Sequence, residues 1–264
     1  CSKQGSWYSS DIKELEYMIK EHYNPNFEKI KYLIAPHAGL SYSVESQGAV
    51  FSKVNLVDYD VALMLGVCHS FSCNGLKQSP FKSWTDPFGQ QPLIVAETAL
   101  QKVTPAQDSS EHSLELLVPF LSFIMKKQNH SIPIIPVYCG TDPTNQEIKI
   151  LIELLKTKKV LVIISSDFCH FGERFGFAPK NLGTNPDEVV DIVNMKAVDG
   201  IKKSALEFKK SIEETGNTVC GRHSIFAGLS IVGDYKAEML SYTKSGKLKS
   251  WYDSSVSYMG IIGK

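Results

Sequence analysis

No apolar run in this 264-residue chain reaches the ~18 residues that cross a bilayer, so no helical membrane span is expected. There is no excess charge of either sign. Lys plus Arg and Asp plus Glu number 28 each, mixed along the sequence, which leaves no basic face and argues against a nucleic-acid partner. The six cysteines (1, 68, 73, 139, 169 and 220) include no CxxC pair, which argues against a structural zinc ribbon. A Walker A motif, a G-x-G-x-x-G after a strand and a G-x-S-x-G elbow are all missing. Their absence weighs against P-loop nucleotides, dinucleotides and serine-hydrolase chemistry. No internal repeat, low-complexity tract, linker or secretory signal is visible, and the chain opens on Cys1 rather than methionine. Cys68, Cys139 and Cys169 sit at the ends of apolar stretches, as reduced thiols or small buried hydrophobes do. The expected compartment is intracellular: the cytoplasm, with the nucleus second.

What the sequence does have is three apolar runs that each lead into a histidine. They are Tyr32-Leu-Ile-Ala-Pro-His37, Val61-Ala-Leu-Met-Leu-Gly-Val-Cys-His69 and Val160-Leu-Val-Ile-Ile-Ser-Ser-Asp-Phe-Cys-His170. Short β-branched runs bounded by turn residues read as buried strands. In open α/β sheets ligands bind outside the carboxyl ends of the strands, so three imidazoles at three strand ends can share one crevice.

Around these runs the pattern alternates. Helices are expected at 11–22 (behind a capping-box-like Asp11…Glu14), after Gly39, over 96–103, 113–127, 146–155, 187–202, 204–213 and 222–232. Strands are expected at 132–138, 237–243 and 255–262. An irregular hairpin or active-site loop fills 70–95, and a loop over the site spans 171–184. The fold class is α/β, with a mixed β-sheet covered by helices on both faces.

Several residues could carry chemistry. His37 sits between Pro36 and Gly39, and serves either as a turn residue or as a ligand. His69 is preferred over its neighbour Cys68, because adjacent strand residues face opposite ways and Cys68 suits the buried strand. Asp167 could orient an imidazole or accept a proton, or it could cap the following turn with Ser166. His170 could act as an acid/base near neutral pH. Cys220 lies beside Arg222 at a helix start, which predicts a depressed thiol pKa, although a buried structural cysteine fits nearly as well. Glu111 could serve a helix N-terminus electrostatically, and His112 lines either the site or the surface. His22 and His130 are expected to be non-functional.

Six short segments in order resemble one family: Gly5-Ser-Trp-Tyr8, Ala35-Pro-His-Ala-Gly39, Glu111-His-Ser-Leu-Glu115, Ser165-Ser-Asp-Phe-Cys-His170, Cys220-Gly-Arg-His223 and Asp253-Ser-Ser-Val-Ser-Tyr258. They resemble the Memo family, named for a mediator of receptor-tyrosine-kinase-driven cell motility. The resemblance implies a single Memo-like domain over 1–264, folded like the class III extradiol dioxygenases. Those non-haem iron enzymes hold Fe(II) with two His and a Glu; in the Memo family a Cys replaces the Glu. Carried over, His37, His69 and Cys220 are the metal ligands, and His170 is the acid/base with Asp167 beside it. Trp7, Tyr42, Arg222, His223 and His112 are the groups that would meet a substrate or peptide. The implied cofactor is copper, with iron as the alternative. The implied partners are dioxygen or a small redox substrate, or phosphotyrosine-containing peptides of signalling receptors. Two histidines and a thiolate form a softer set than two histidines and a carboxylate; the exchange favours copper and disfavours ring cleavage. The chain also departs from the family: Gly66-Val-Cys-His69-Ser70 stands where Gly-Pro-Ser-His-His is usual, Leu117 where a His is frequent, and Leu40 replaces a Tyr.

Overall fold

The computed structural model describes residues 2–89 and 91–264, so Cys1 lies outside the described residues. Asp11 caps α1 (Ile12–His22), its side chain accepting from the N–H groups of Lys13 and Glu14; Leu15 and Ile19 form the buried stripe. β1 (Tyr32–Ala35) and α2 (Leu40–Phe51) follow, then β2 (Val61–Val67). The irregular segment contains β3 (Leu76–Gln78) and a small hairpin of β4 (Ser83–Trp84) and β5 (Leu93–Ile94). Next come α3 (Pro105–Ser110), α4 (Val118–Gln128), β6 (Ile134–Cys139), α5 (Asn145–Thr157) and β7 (Val160–Ser165). The chain closes with β8 (His170–Phe171), α6 (Pro186–Lys203), α7 (Ala205–Thr215), α8 (Arg222–Ile231), β9 (Ala237–Lys244) and β10 (Ser255–Gly263).

Among the described residues one eight-stranded sheet runs β3-β6-β2-β7-β1-β10-β8, with β9 paired to β10. The strands β6, β2, β7 and β1 are mutually parallel; β3, β10, β8 and β9 join antiparallel. This is the expected mixed sheet. Successive residues of β1 divide between its faces. Leu33 and Ala35 pack with α1, α2 and α4, whereas Tyr32 and Ile34 pack with α6, α7 and α8. Both faces are therefore covered, and the central strands read as unbroken apolar runs for that reason. Among the described residues no helix is long and apolar enough to cross a membrane.

Two expected elements differ. Residues 96–103 form no helix. The buried side chain of Gln78 takes their polar groups instead: its Oε1 accepts from Thr98 N–H (3.0 Å) and Oγ1 (2.8 Å), and its Nε2 donates to the Ala96 carbonyl (2.7 Å). The Gln78 backbone pairs with Gln101 and Val103 (2.8 and 3.0 Å), which holds the segment extended. The helix comes later, at α3, where Thr104 and Gln107 form a reciprocal capping box. The expected helix over 113–127 instead starts with a tight turn at Glu115–Leu117 and becomes α-helical at Val118. Pro119 sits in its first turn, where no N–H is needed.

Candidate metal centre

Because β1, β2 and β7 are parallel neighbours, their carboxyl ends share one edge of the sheet. β7 lies between the other two, so the residues after Ser165 fall between those after Ala35 and those after Val67. Cys220 reaches the same edge from the loop before α8. Gly221 makes that approach possible: a Cβ there would fall 2.5 Å from Ser166 Cβ and 2.6 Å from the Ser165 carbonyl oxygen.

His37 is 2% exposed and held from both ends. Its N–H donates to Asp167 Oδ1 at 2.9 Å, and its Nδ1 lies 2.8 Å from Ser165 Oγ. The Ser165 hydroxyl spends its one proton on the Ser113 carbonyl at 2.5 Å, so it accepts from His37 Nδ1–H. That leaves His37 Nε2 bare, 3.3 Å from Cys220 Sγ. His69 follows the same rule: its Nδ1 lies 3.0 Å from Glu111 Oε1, and an ionised carboxylate only accepts. His112 Nδ1 is 3.2 Å from the same oxygen. The result is a carboxylate–histidine arrangement of the kind that fixes metal-binding imidazoles.

The ligand atoms of His37, His69 and His112 lie within 4.8 Å of one another, and those of His37, Asp167 and Cys220 do the same. His37 joins the two triads, so a His/His/Cys set that could bind a metal is contiguous through it. The rings pack closely: His69 stacks on His112 at 4.6 Å, and His37 meets His69 edge-on at 5.1 Å. The residues fit a metal. His37 and His69 have their Nδ1 atoms occupied, which leaves Nε2 as the donor on each, and His112 and a thiol stand beside them.

Electrostatics keep His37 and His112 neutral, the form that ligates. Burial, then the neighbouring charges of His69 and His112, holds His37 well below the usual histidine range. Burial and the charge of His69 bring His112 down to about 4. Burial alone would raise the Glu111 carboxyl. The hydrogen bond from His69, the N–H groups of His112 and Ser70 and the charge of His69 together hold it well below the carboxylate range. Burial lifts Asp167 to about 7, against the N–H groups of His37 and Ala38 and the charge of His69.

Three expectations are corrected here. The Cys220 thiol is not depressed: burial, then the Asp167 carboxylate, pushes it well up. Asp167 does not orient His170. Its carboxylate holds the His37 backbone, while His170 Nδ1 donates to the carbonyls of Phe168 (2.8 Å) and Thr218 (3.2 Å). His170 Nε2 is thereby bare, with the Phe175 ring 5.2 Å away in the loop over the site. Arg222 and His223 turn outward with the first turn of α8 and line a separate cavity of about 180 Å³ with Asp142, Lys209 and Phe226. There His223 Nδ1 pairs with Asp142 at 2.7 Å.

Trp7 covers His112 with ring centroids 4.4 Å apart and remains 40% exposed. Tyr42 is 56% exposed, tilted over Tyr258 at 6.3 Å. Sequence reasoning placed Glu111 only at a helix terminus and passed over Arg174, whose charge acts on both His170 and Tyr258. The Glu-His pair 111–112 was the available signal for the first; an exposed arginine in an irregular loop gave none for the second.

A family profile described as Memo-like protein matches residues 1–262. The chain belongs to the Memo family. It is 29% identical to the memo-1 homolog of Caenorhabditis elegans over 98% of this chain and 80% of that protein. It is 30% identical to a MEMO1 family protein of Schizosaccharomyces pombe over 96% of this chain and 95% of the relative. With the MEMO1 protein of Danio rerio it shares 26% identity over 98% and 94% of the two chains. The helix-covered mixed sheet agrees with the extradiol-dioxygenase-like fold expected of a Memo protein.

Proposed function

We propose that this Memo-family protein is a copper-binding redox protein whose ligands are His37, His69 and Cys220. The supporting observation is the double engagement of His37, with Nε2 at 3.3 Å from Cys220 Sγ and a shared ligand cluster with His69. Two imidazoles and a thiolate suit copper, above all Cu(I), better than Fe(II); iron is the second choice. Bound there, copper supplies a one-electron couple toward dioxygen or a small redox substrate. The chain's own groups do the positioning. Ser165 and Glu111 hold two imidazoles with Nε2 bare. The Asp167 N–H, 3.2 Å from the Cys220 sulfur, steadies a thiolate there. His170 Nε2 takes and returns a substrate proton, its Nδ1 fixed by two carbonyls. Ring cleavage is disfavoured because the third ligand is a thiolate rather than a carboxylate; of the carboxylates nearby, Glu111 is committed to four backbone N–H groups and His69, and Asp167 accepts from the His37 N–H.

Anaerobic titration with Cu(I), Fe(II) and Zn(II), on wild type and Cys220→Ser, tests this. One tight Cu(I) per chain, lost in a variant that unfolds at the wild-type midpoint, is expected. Equal Cu(I) affinity in the two proteins would overturn the assignment.

A second reading has its own support: the pocket receives a phosphotyrosine or another acidic peptide end. Arg174 supplies positive charge beside His170 and Tyr258, and the exposed faces of Trp7 and Tyr42 supply aromatic walls. Tight peptide binding to metal-free protein, weakened by Arg174→Ala, would favour this reading over the first.

A further inference from the structure

The turn leaving β2 carries two cysteines that the proposed metal site does not use. Cys68 is the first residue after the strand, and Cys73 is five residues further on. Their sulfurs lie 2.9 Å apart. A disulfide needs ~2.05 Å, so closure requires only about 0.9 Å of approach. Both residues are half-buried, within reach of small solutes. Cys139 and Cys169, by contrast, are fully buried.

The seat of Cys73 is built into the fold. Gly140, just past β6, lies against the Cys73 carbonyl and sulfur, where any Cβ would collide with both. Gly140 N–H donates to the Gly75 carbonyl at 3.1 Å, and Gly75 N–H donates to Thr141 Oγ1 at 2.7 Å. Gly75 itself adopts φ +63°, which turns the chain back into β3. The loop is therefore tied at its far end while its near end is fixed by β2.

The hydrogen bond from Cys68 lowers Cys73, helped against partial burial by the Gly140 N–H and the charge of Lys77. Cys73 is the nucleophile of the pair.

We propose that Cys68 and Cys73 form a redox-active dithiol that closes to a disulfide when it meets hydrogen peroxide, a modification site built from two cysteines that are not themselves metal ligands. The Cys73 thiolate attacks one peroxide oxygen and the O–O bond breaks, giving Cys73 sulfenic acid and hydroxide. The Cys68 sulfur then displaces that oxygen, which leaves as water with the Cys68 proton, and the S–S bond forms. The two sulfurs lose two electrons in all, and peroxide gains them. The closed ring contains His69, Ser70, Phe71 and Ser72. A small dithiol reverses the step.

The test is peroxide treatment of the full chain with a chelator present, followed by alkylation and peptide mass mapping. The expected result is a 68–73 peptide that has lost two hydrogens, resists alkylation and recovers with dithiothreitol, while Cys139 and Cys169 stay reduced. In Cys68→Ser, Cys73 is expected to be trapped by dimedone as the sulfenic acid. Should Cys68 and Cys73 both remain alkylatable after the peroxide is consumed, or should the bridge join another pair, the proposal is wrong. Wild-type mapping alone decides this if the variant fails to fold.

Discussion

Ser165 has one proton, and by giving it to the Ser113 carbonyl it becomes an acceptor for His37 Nδ1–H and so selects the tautomer that leaves Nε2 bare. Removing the hydroxyl removes that selection but no ligand. Ser165→Ala is expected to weaken Cu(I) binding by about 10–100-fold, the usual cost of losing such a partner. Its stability should fall only by about 0.5–1.5 kcal/mol. Copper titration and urea unfolding check the two numbers; unchanged affinity would show that the Ser165 contact does not set the donor. At this scale the sequence was readable where a residue's position follows from its strand. His37, His69 and His170 each trail an apolar run, and each arrives at the same sheet edge. It was unreadable where position depends on a distant segment. His112 joins His37 and His69 only because the turn before α4 stacks its ring on His69 under Trp7. Cys220 showed its neighbour Arg222 but not the burial that raises its thiol, and Arg222 faces the Asp142 cavity instead.

The elements show the same division. β1, β2 and β7 were legible because strands covered on both faces must be apolar throughout. Residues 96–103 misled because a short apolar–polar mixture has no helical commitment of its own, and the buried Gln78 amide supplied better partners. The docking of the Cys220 loop against the end of β7 depends on a missing side chain. Gly221→Ala would place a methyl 2.6 Å from the Ser165 carbonyl, and backbone in a central strand does not yield. The loop must move instead. The expected outcome is a loss of about 1–3 kcal/mol in urea unfolding together with weaker Cu(I) binding. Wild-type stability and affinity in this variant would mean the loop is not held where the structure shows it.

For the molecule as a whole, the strand order does what no single element can. Placing β7 between β2 and β1 sets Ser165 and Asp167 between the residues that follow β1 and β2, and the parallel direction of all three puts them at one edge. The α/β class and the two helical layers could be read from alternation along the chain. The order could not, because pairing between segments 100 residues apart leaves no local trace in sequence. The Memo-family match over residues 1–262 spans every strand of that sheet except the last residue of β10. It does not choose between Cys220 and His112 as the third donor. X-ray absorption at the copper edge of the Cu(I)-loaded protein does. The account predicts one sulfur and two imidazole scatterers in wild type, with the sulfur gone in Cys220→Ser. A shell of imidazoles alone in wild type would contradict it and assign the metal to His37, His69 and His112.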